Sequence, residues 1–142
     1  MKSKALSFKR AIAVRLEKGE EVIESLAKTC TEKGVKSGLI FGIGALGKCT
    51  LYASRSAEAL EPGAKELEEP LEIASATGNV TEKDKTPFIH LHVVLGRADH
   101  SSLAGHLKSG TVSLTGEFWI LECSGVIPRK RDEILRMDLM GL

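Results

Sequence analysis

The chain has 142 residues, 42% hydrophobic and 27% charged, with 20 Lys+Arg against 19 Asp+Glu. That length suits one domain around a single core, and the hydrophobic share excludes wholesale disorder. A formal net charge of +1 offers nucleic acid no global attraction, and no run approaches the ~18–20 apolar residues of a membrane span. The amino terminus reaches Lys9 and Arg10 before an apolar signal core could form. Cys30, Cys49 and Cys123 are odd in number, widely spaced and outside any C-x-x-C arrangement. They read as reduced, mostly buried residues of a cytoplasmic protein.

Taken in chain order, Arg10–Leu16 alternates as a strand, with Ile12, Val14 and Leu16 on one side. A helix is expected from about Glu20 to Lys33, because Val22, Ile23, Leu26, Ala27 and Cys30 fall on one stripe. Acidic residues begin it, Lys33 lies near its end and Gly34 stops it. Leu39–Ile43 is a continuous apolar run, expected as a strand buried on both faces, and Lys48–Ala53 as another strand. Ser54–Glu69 is expected as an exposed excursion, a hairpin tip. Leu71–Val80 alternates again and Thr81–Pro87 reads as a charged loop. Strands follow at Phe88–Leu95, Leu103–Leu107 and Val112–Glu122, with turns at Gly96–His100 and Lys108–Gly110. The tail from Pro128 mixes basic and acidic residues and suggests one or two helical turns. The fold class is α+β, a mostly antiparallel sheet or partial barrel with one principal packed helix.

All four histidines fall between positions 90 and 106. His90 and His92 sit two apart on one strand and therefore share a face. A hairpin centred on Asp99 pairs positions whose numbers sum to 198, which sets His92 opposite His106 with His90 on the diagonal. Three imidazoles then converge, and three neutral imidazoles with an open fourth position are a catalytic-type zinc arrangement. The pattern equally fits partly buried polar residues at a sheet edge. A one-residue slip would turn His106 away, so register decides. His100 reads as a solvated turn residue. Glu117 interrupts an apolar run and fits either a carboxylate serving the metal, catalytic or supporting, or an outward-facing strand residue.

Other signals are weaker. Gly42-Ile43-Gly44-Ala45-Leu46-Gly47 lacks the G-x-G-x-x-G spacing before a helix, so close backbone packing is its expected role. Arg129-Lys130-Arg131 is followed at once by Asp132 and Glu133 and reads as a solvated tail. One Trp and one Tyr make no stacking platform for single strands, and no G-x-S-x-G elbow is present.

Three motifs together carry a family resemblance: Gly42-Ile43-Gly44-Ala45, Leu71-Glu72-Ile73-x-Ser75-x-Thr77-Gly78, and His90-Leu91-His92 with Gly105-His106-Leu107. The chain resembles the plant-and-prokaryote-conserved (PPC) domain, a PD1-like DNA-binding domain, over roughly 9–122, with 123–142 as an extension of one domain spanning 1–142. The resemblance implies a stand-alone prokaryotic protein that forms a homotrimer. It further implies a metal-binding module, zinc or another divalent ion at His90, His92 and His106, with a DNA-associated or regulatory role. No Arg-Gly-Arg-Pro hook is present, so any DNA binding is expected to be weak and non-specific. The fold is also similar to that of acetolactate decarboxylase. An alternative function is a metal-dependent lyase or hydrolase using the three histidines.

Overall fold

The computed structural model describes residues 1–54 and 62–142. β1 (Phe8–Glu17) is followed by α1 (Val22–Lys33) and the 17-residue β2 (Gly38–Ser54). β3 (Pro62–Leu67), β4 (Leu71–Lys83), β5 (Thr86–Gly96) and the 22-residue β6 (Ser102–Cys123) complete the main sheet. Strands β7 (Arg129–Asp132) and β8 (Met137–Met140) form a separate hairpin. The main sheet is antiparallel, in the order β1-β6-β5-β4-β2-β3, and β2 also pairs with β6. Strand β6 is long enough to hold β5 near its start and β1 near its end, with β2 along its other side. This pairing closes β6, β5, β4 and β2 into a partial barrel, as the α+β reading expects.

Helix α1 buries Val22, Leu26 and Cys30, with Ile23 and Ala27 packed beside them. The Glu21 carboxylate caps it by accepting the Glu24 N–H at 2.6 Å. At the other end Val35 N–H donates to the Cys30 carbonyl and Gly34 N–H to that of Thr31, the paired bonds of a Schellman stop. The helix packs against β5, β6 and β1. There its stripe joins a buried cluster that includes Ile40, Leu46, Leu91, Leu107, Phe118 and Ile120. A further device ties β1 down. Glu122, 4% exposed, accepts from Lys9 Nζ at 3.0 Å and Arg10 Nε at 2.6 Å. Burial pushes its carboxyl pKa up, but those two donors outweigh burial and hold it below the ordinary value.

Several expectations are corrected. The two strands expected at Leu39–Ile43 and Lys48–Ala53 are one strand, β2. Its Gly42 and Gly44 serve close approach: a Cβ on Gly42 would run into the Phe118 ring, and one on Gly44 would lie 2.5 Å from the Thr115 carbonyl oxygen. Lys108–Gly110 is not a turn, because β6 bends there through irregular pairing with β2 rather than ending. The loop expected over Thr81–Pro87 shrinks to Asp84-Lys85, whose φ values of 50° and 64° suit a two-residue hairpin turn. Leu39–Ile43 is not buried on both faces: Ile40 is fully buried, whereas Phe41 is 41% and Ile43 56% exposed. The tip expected over Ser54–Glu69 falls partly on residues 55–61, outside the described residues, while 62–67 form β3. Finally, the tail is a hairpin and not helical. Asp132 Oδ1 accepts from Ile134 and Leu135 N–H, and Arg136 takes φ 56°, which turns the chain back on itself.

Candidate metal centre

The β4–β5 turn and the β5–β6 turn fix the register on which the site depends. His92 lies directly opposite His106, as the sum of 198 requires, and His90 lies two residues along β5. Their ring centroids are 5.1 Å (His90–His92), 4.9 Å (His90–His106) and 5.4 Å (His92–His106) apart. One nitrogen from each falls within 4.8 Å of the others, and this trio could hold a metal ion. His90 Nε2 and His92 Nε2 are 3.3 Å apart. Two nitrogens on a tetrahedral zinc at ~2.05 Å are separated by about 3.3–3.4 Å, so this pair already stands at the edge length such an ion needs.

Burial lowers the His90 pKa to about 4, with the neighbouring His106, Arg129 and His92 adding to the effect. Burial, His92, Lys108 and Arg129 lower that of His106. Both rings are held neutral, the form that binds metal. Tyr52 on β2 stacks on His106 with centroids 6.3 Å apart and planes 20° from parallel.

Arg129 is the residue that sequence reasoning missed. It looked like part of a solvated tail, but β7 brings it half-buried against the site. Its guanidinium lies 4.7 Å from the Phe88 ring centroid. It donates to Thr81 Oγ1 at 2.8 Å, the Asp138 carbonyl at 2.8 Å and Asn79 Oδ1 at 3.1 Å. Its remaining contact is His90 Nδ1 at 3.3 Å. Arginine can only donate, so Nδ1 accepts there and the neutral ring carries its proton on Nε2. Were Nε2 to hold a metal, the ring's proton would sit on Nδ1 and meet the Arg129 guanidinium there as a second donor. No local pattern in the sequence reveals this contact, because it depends on a hairpin folding back across some forty positions.

The other expected residues lie elsewhere. His100 is exposed at φ 63° in the β5–β6 turn. Glu117 is exposed on β6, in register with Arg15 and Ile43, and lines a groove of about 360 Å³ with Phe41 and Trp119. That groove shares no lining residue with the cavity of about 450 Å³ that opens on the three histidines. The cysteines are unpaired, and burial and then Glu122 push the Cys30 thiol up to about 12, so it is no nucleophile.

The model of the Plants and Prokaryotes Conserved (PCC) domain matches residues 3–124. The chain belongs to this family. The PCC assignment agrees with solved structures along almost the whole length. A metal-containing protein from Archaeoglobus fulgidus is 34% identical, with a TM-score of 0.91 and 99% of each chain covered. A protein from Bacteroides thetaiotaomicron, provisionally described as DNA-binding, is 33% identical at TM-score 0.87, covering 95% of this chain and 96% of its own. A plant- and prokaryote-conserved protein from Pyrococcus horikoshii is 30% identical at TM-score 0.82, covering 98% and 99%. No curated protein matches the sequence. No helix among the described residues is long and apolar enough to cross a membrane.

Proposed function

We propose that this PCC-domain protein is a homotrimeric metal-binding module in which His90, His92 and His106 of each chain hold one zinc-like divalent ion. The observation that carries the reading is the convergence of three imidazole nitrogens within 4.8 Å, two of them neutral by environment. The description of the Archaeoglobus relative as metal-containing supports it. Such an ion would supply Lewis-acid character at its open position, while the chain's residues orient and desolvate the rings. Assembly is supported by the apolar outer face around Phe41, Ile43 and Trp119, which none of the described residues covers. The number three comes from the family resemblance. Three unpaired cysteines favour a reducing, cytoplasmic setting.

The relative from Bacteroides supports a DNA-associated or regulatory role. With a net charge of +1, contact with DNA would go to phosphates, weakly and without sequence preference. The cavity beside the histidines favours a second reading, a metal-dependent lyase or hydrolase. Glu117 lines the other groove, so that reading draws its proton transfer from the histidine cavity's own wall.

Elemental analysis of protein purified without a histidine tag tests the first reading. About one divalent ion per chain is expected, falling to none in His92→Ala with the circular-dichroism spectrum unchanged. Metal-free protein under non-chelating conditions would sink it.

A further inference from the structure

The cavity over the histidines has a wall built largely of cations. Arg129 and Arg131 come from β7, Arg136 from the β7–β8 turn and Lys108 from β6. Among the described residues, none of these four forms an ion pair. The one carboxylate on the wall, Asp138, bonds Lys83 at 2.6 Å and also faces Arg129 and Arg131, so one negative charge stands against four cations. Composition does not explain this concentration, since the whole chain carries only +1. Arg129 has its donors committed and acts as a fixed charge, whereas Lys108 and Arg131 are exposed and, among the described residues, make no hydrogen bond with their side chains. Most of this wall belongs to the hairpin beyond residue 124, where the family match ends.

We propose that the C-terminal hairpin makes the cavity a receptor for a small oxyanion-bearing molecule, a carboxylate or phosphate. Its charge is held by Arg131, Arg136 and Lys108, and one oxygen faces the three histidines. Like charges gathered around one cavity repel, and an anion between them relieves that repulsion while accepting charge-assisted hydrogen bonds. A divalent ion on three neutral imidazoles would add uncompensated positive charge and draw an anionic oxygen to its open position. The volume, about 450 Å³, is that of a small-molecule site and not of a groove that tracks a polymer. The oxygen at the metal rests on the metal reading above. The cationic wall stands without it.

The experiment is isothermal titration of the full chain, both zinc-loaded and stripped with EDTA, using malonate, inorganic phosphate and neutral malonamide. Malonate or phosphate is expected to bind, more tightly with zinc, and malonamide is not. The double variant Arg131→Ala/Arg136→Ala is expected to weaken anion binding about tenfold or more at an unchanged zinc-to-protein ratio. Lys108→Ala, on the main sheet and independent of the hairpin's folding, should weaken it in the same direction. Whichever anion binds better identifies the oxyanion. Unchanged affinity in both variants overturns the proposal, as does equal binding of malonamide. Binding of a DNA duplex with neither small anion overturns it too. If the native chain carries no zinc, the metal reading falls, and titration of the stripped protein still decides this one.

Discussion

The outer face of the barrel has two halves on the same strands, and they are finished differently. Phe41, Thr77, His92 and His106 lie in one row across β2, β4, β5 and β6, through direct pairings. At the histidine end, the β7–β8 hairpin docks through Arg129 and the Lys83–Asp138 pair and supplies a polar wall. At the other end, Phe41, Ile43 and Trp119 stand exposed, with none of the described residues over them. One sheet face thus carries a histidine cluster that the hairpin walls and an apolar surface that the described residues leave open. The alternation of side chains is the same in both halves. What differs is that the β7–β8 hairpin lies over one half, and no described element lies over the other.

The strongest test of this contrast is Trp119→Asp. A charge in the middle of the uncovered half should dissociate the proposed trimer, read as a fall to the 15.3 kDa monomer mass in sedimentation equilibrium. The histidine half should keep its metal content. A wild-type protein already at monomer mass would remove the distinction between the halves.

Arg129→Ala should act on the covered half alone. Losing its hydrogen bonds and its stacking on Phe88 should cost about 1–3 kcal/mol of stability and open residues 125–142 to proteolysis. Zinc affinity should nonetheless rise, because a cation and a competing donor at His90 Nδ1 are gone. Competition titration with a zinc chelator reads the sign, and a fall in affinity would show that Arg129 supports the metal.

Glu122→Gln addresses neither half, only the attachment of β1. Because Lys9 and Arg10 are more than half exposed, about 1–2 kcal/mol is expected, at the lower end for charged hydrogen bonds. The native carboxyl pKa lies below its unfolded value. Its contribution is therefore complete above the ordinary glutamate range and disappears as pH falls through the native value. Thermal unfolding from pH 7 to 3 should show a decline that the variant flattens. The smallest effect is His100→Asn, which keeps a side chain tolerant of φ 63°. Neither metal content nor stability should move measurably.

Much of this was legible in the sequence, for physical reasons that also mark where legibility ended. Helix α1 shows because its stripe, caps and stop are local. The His92–His106 pairing shows because a short hairpin converts sequence spacing into register. The continuity of β2 and β6 did not show, since their glycines and polar breaks resemble turns until a partner strand crosses them at Gly42 and Gly44. The two-sided burial expected of Leu39–Ile43 failed because apolar character marks a residue for contact without saying within which chain. Arg129 stayed hidden because its partners Asn79, Thr81 and His90 lie about 40–50 positions away.

The register of β1 with the end of β6 bears on how the molecule is made. Phe8 pairs with Cys123 and Glu17 with Thr115, so the first strand to emerge in synthesis is among the last to find its neighbour. At roughly 5–20 residues per second, the nascent chain carries an alternating strand with an unsatisfied edge for about 5–20 seconds. Such non-local closure places refolding in the slower, millisecond-to-second class of small domains. Lys9, Arg10 and Arg15 along that strand carry like charges, which disfavour its pairing with copies of itself.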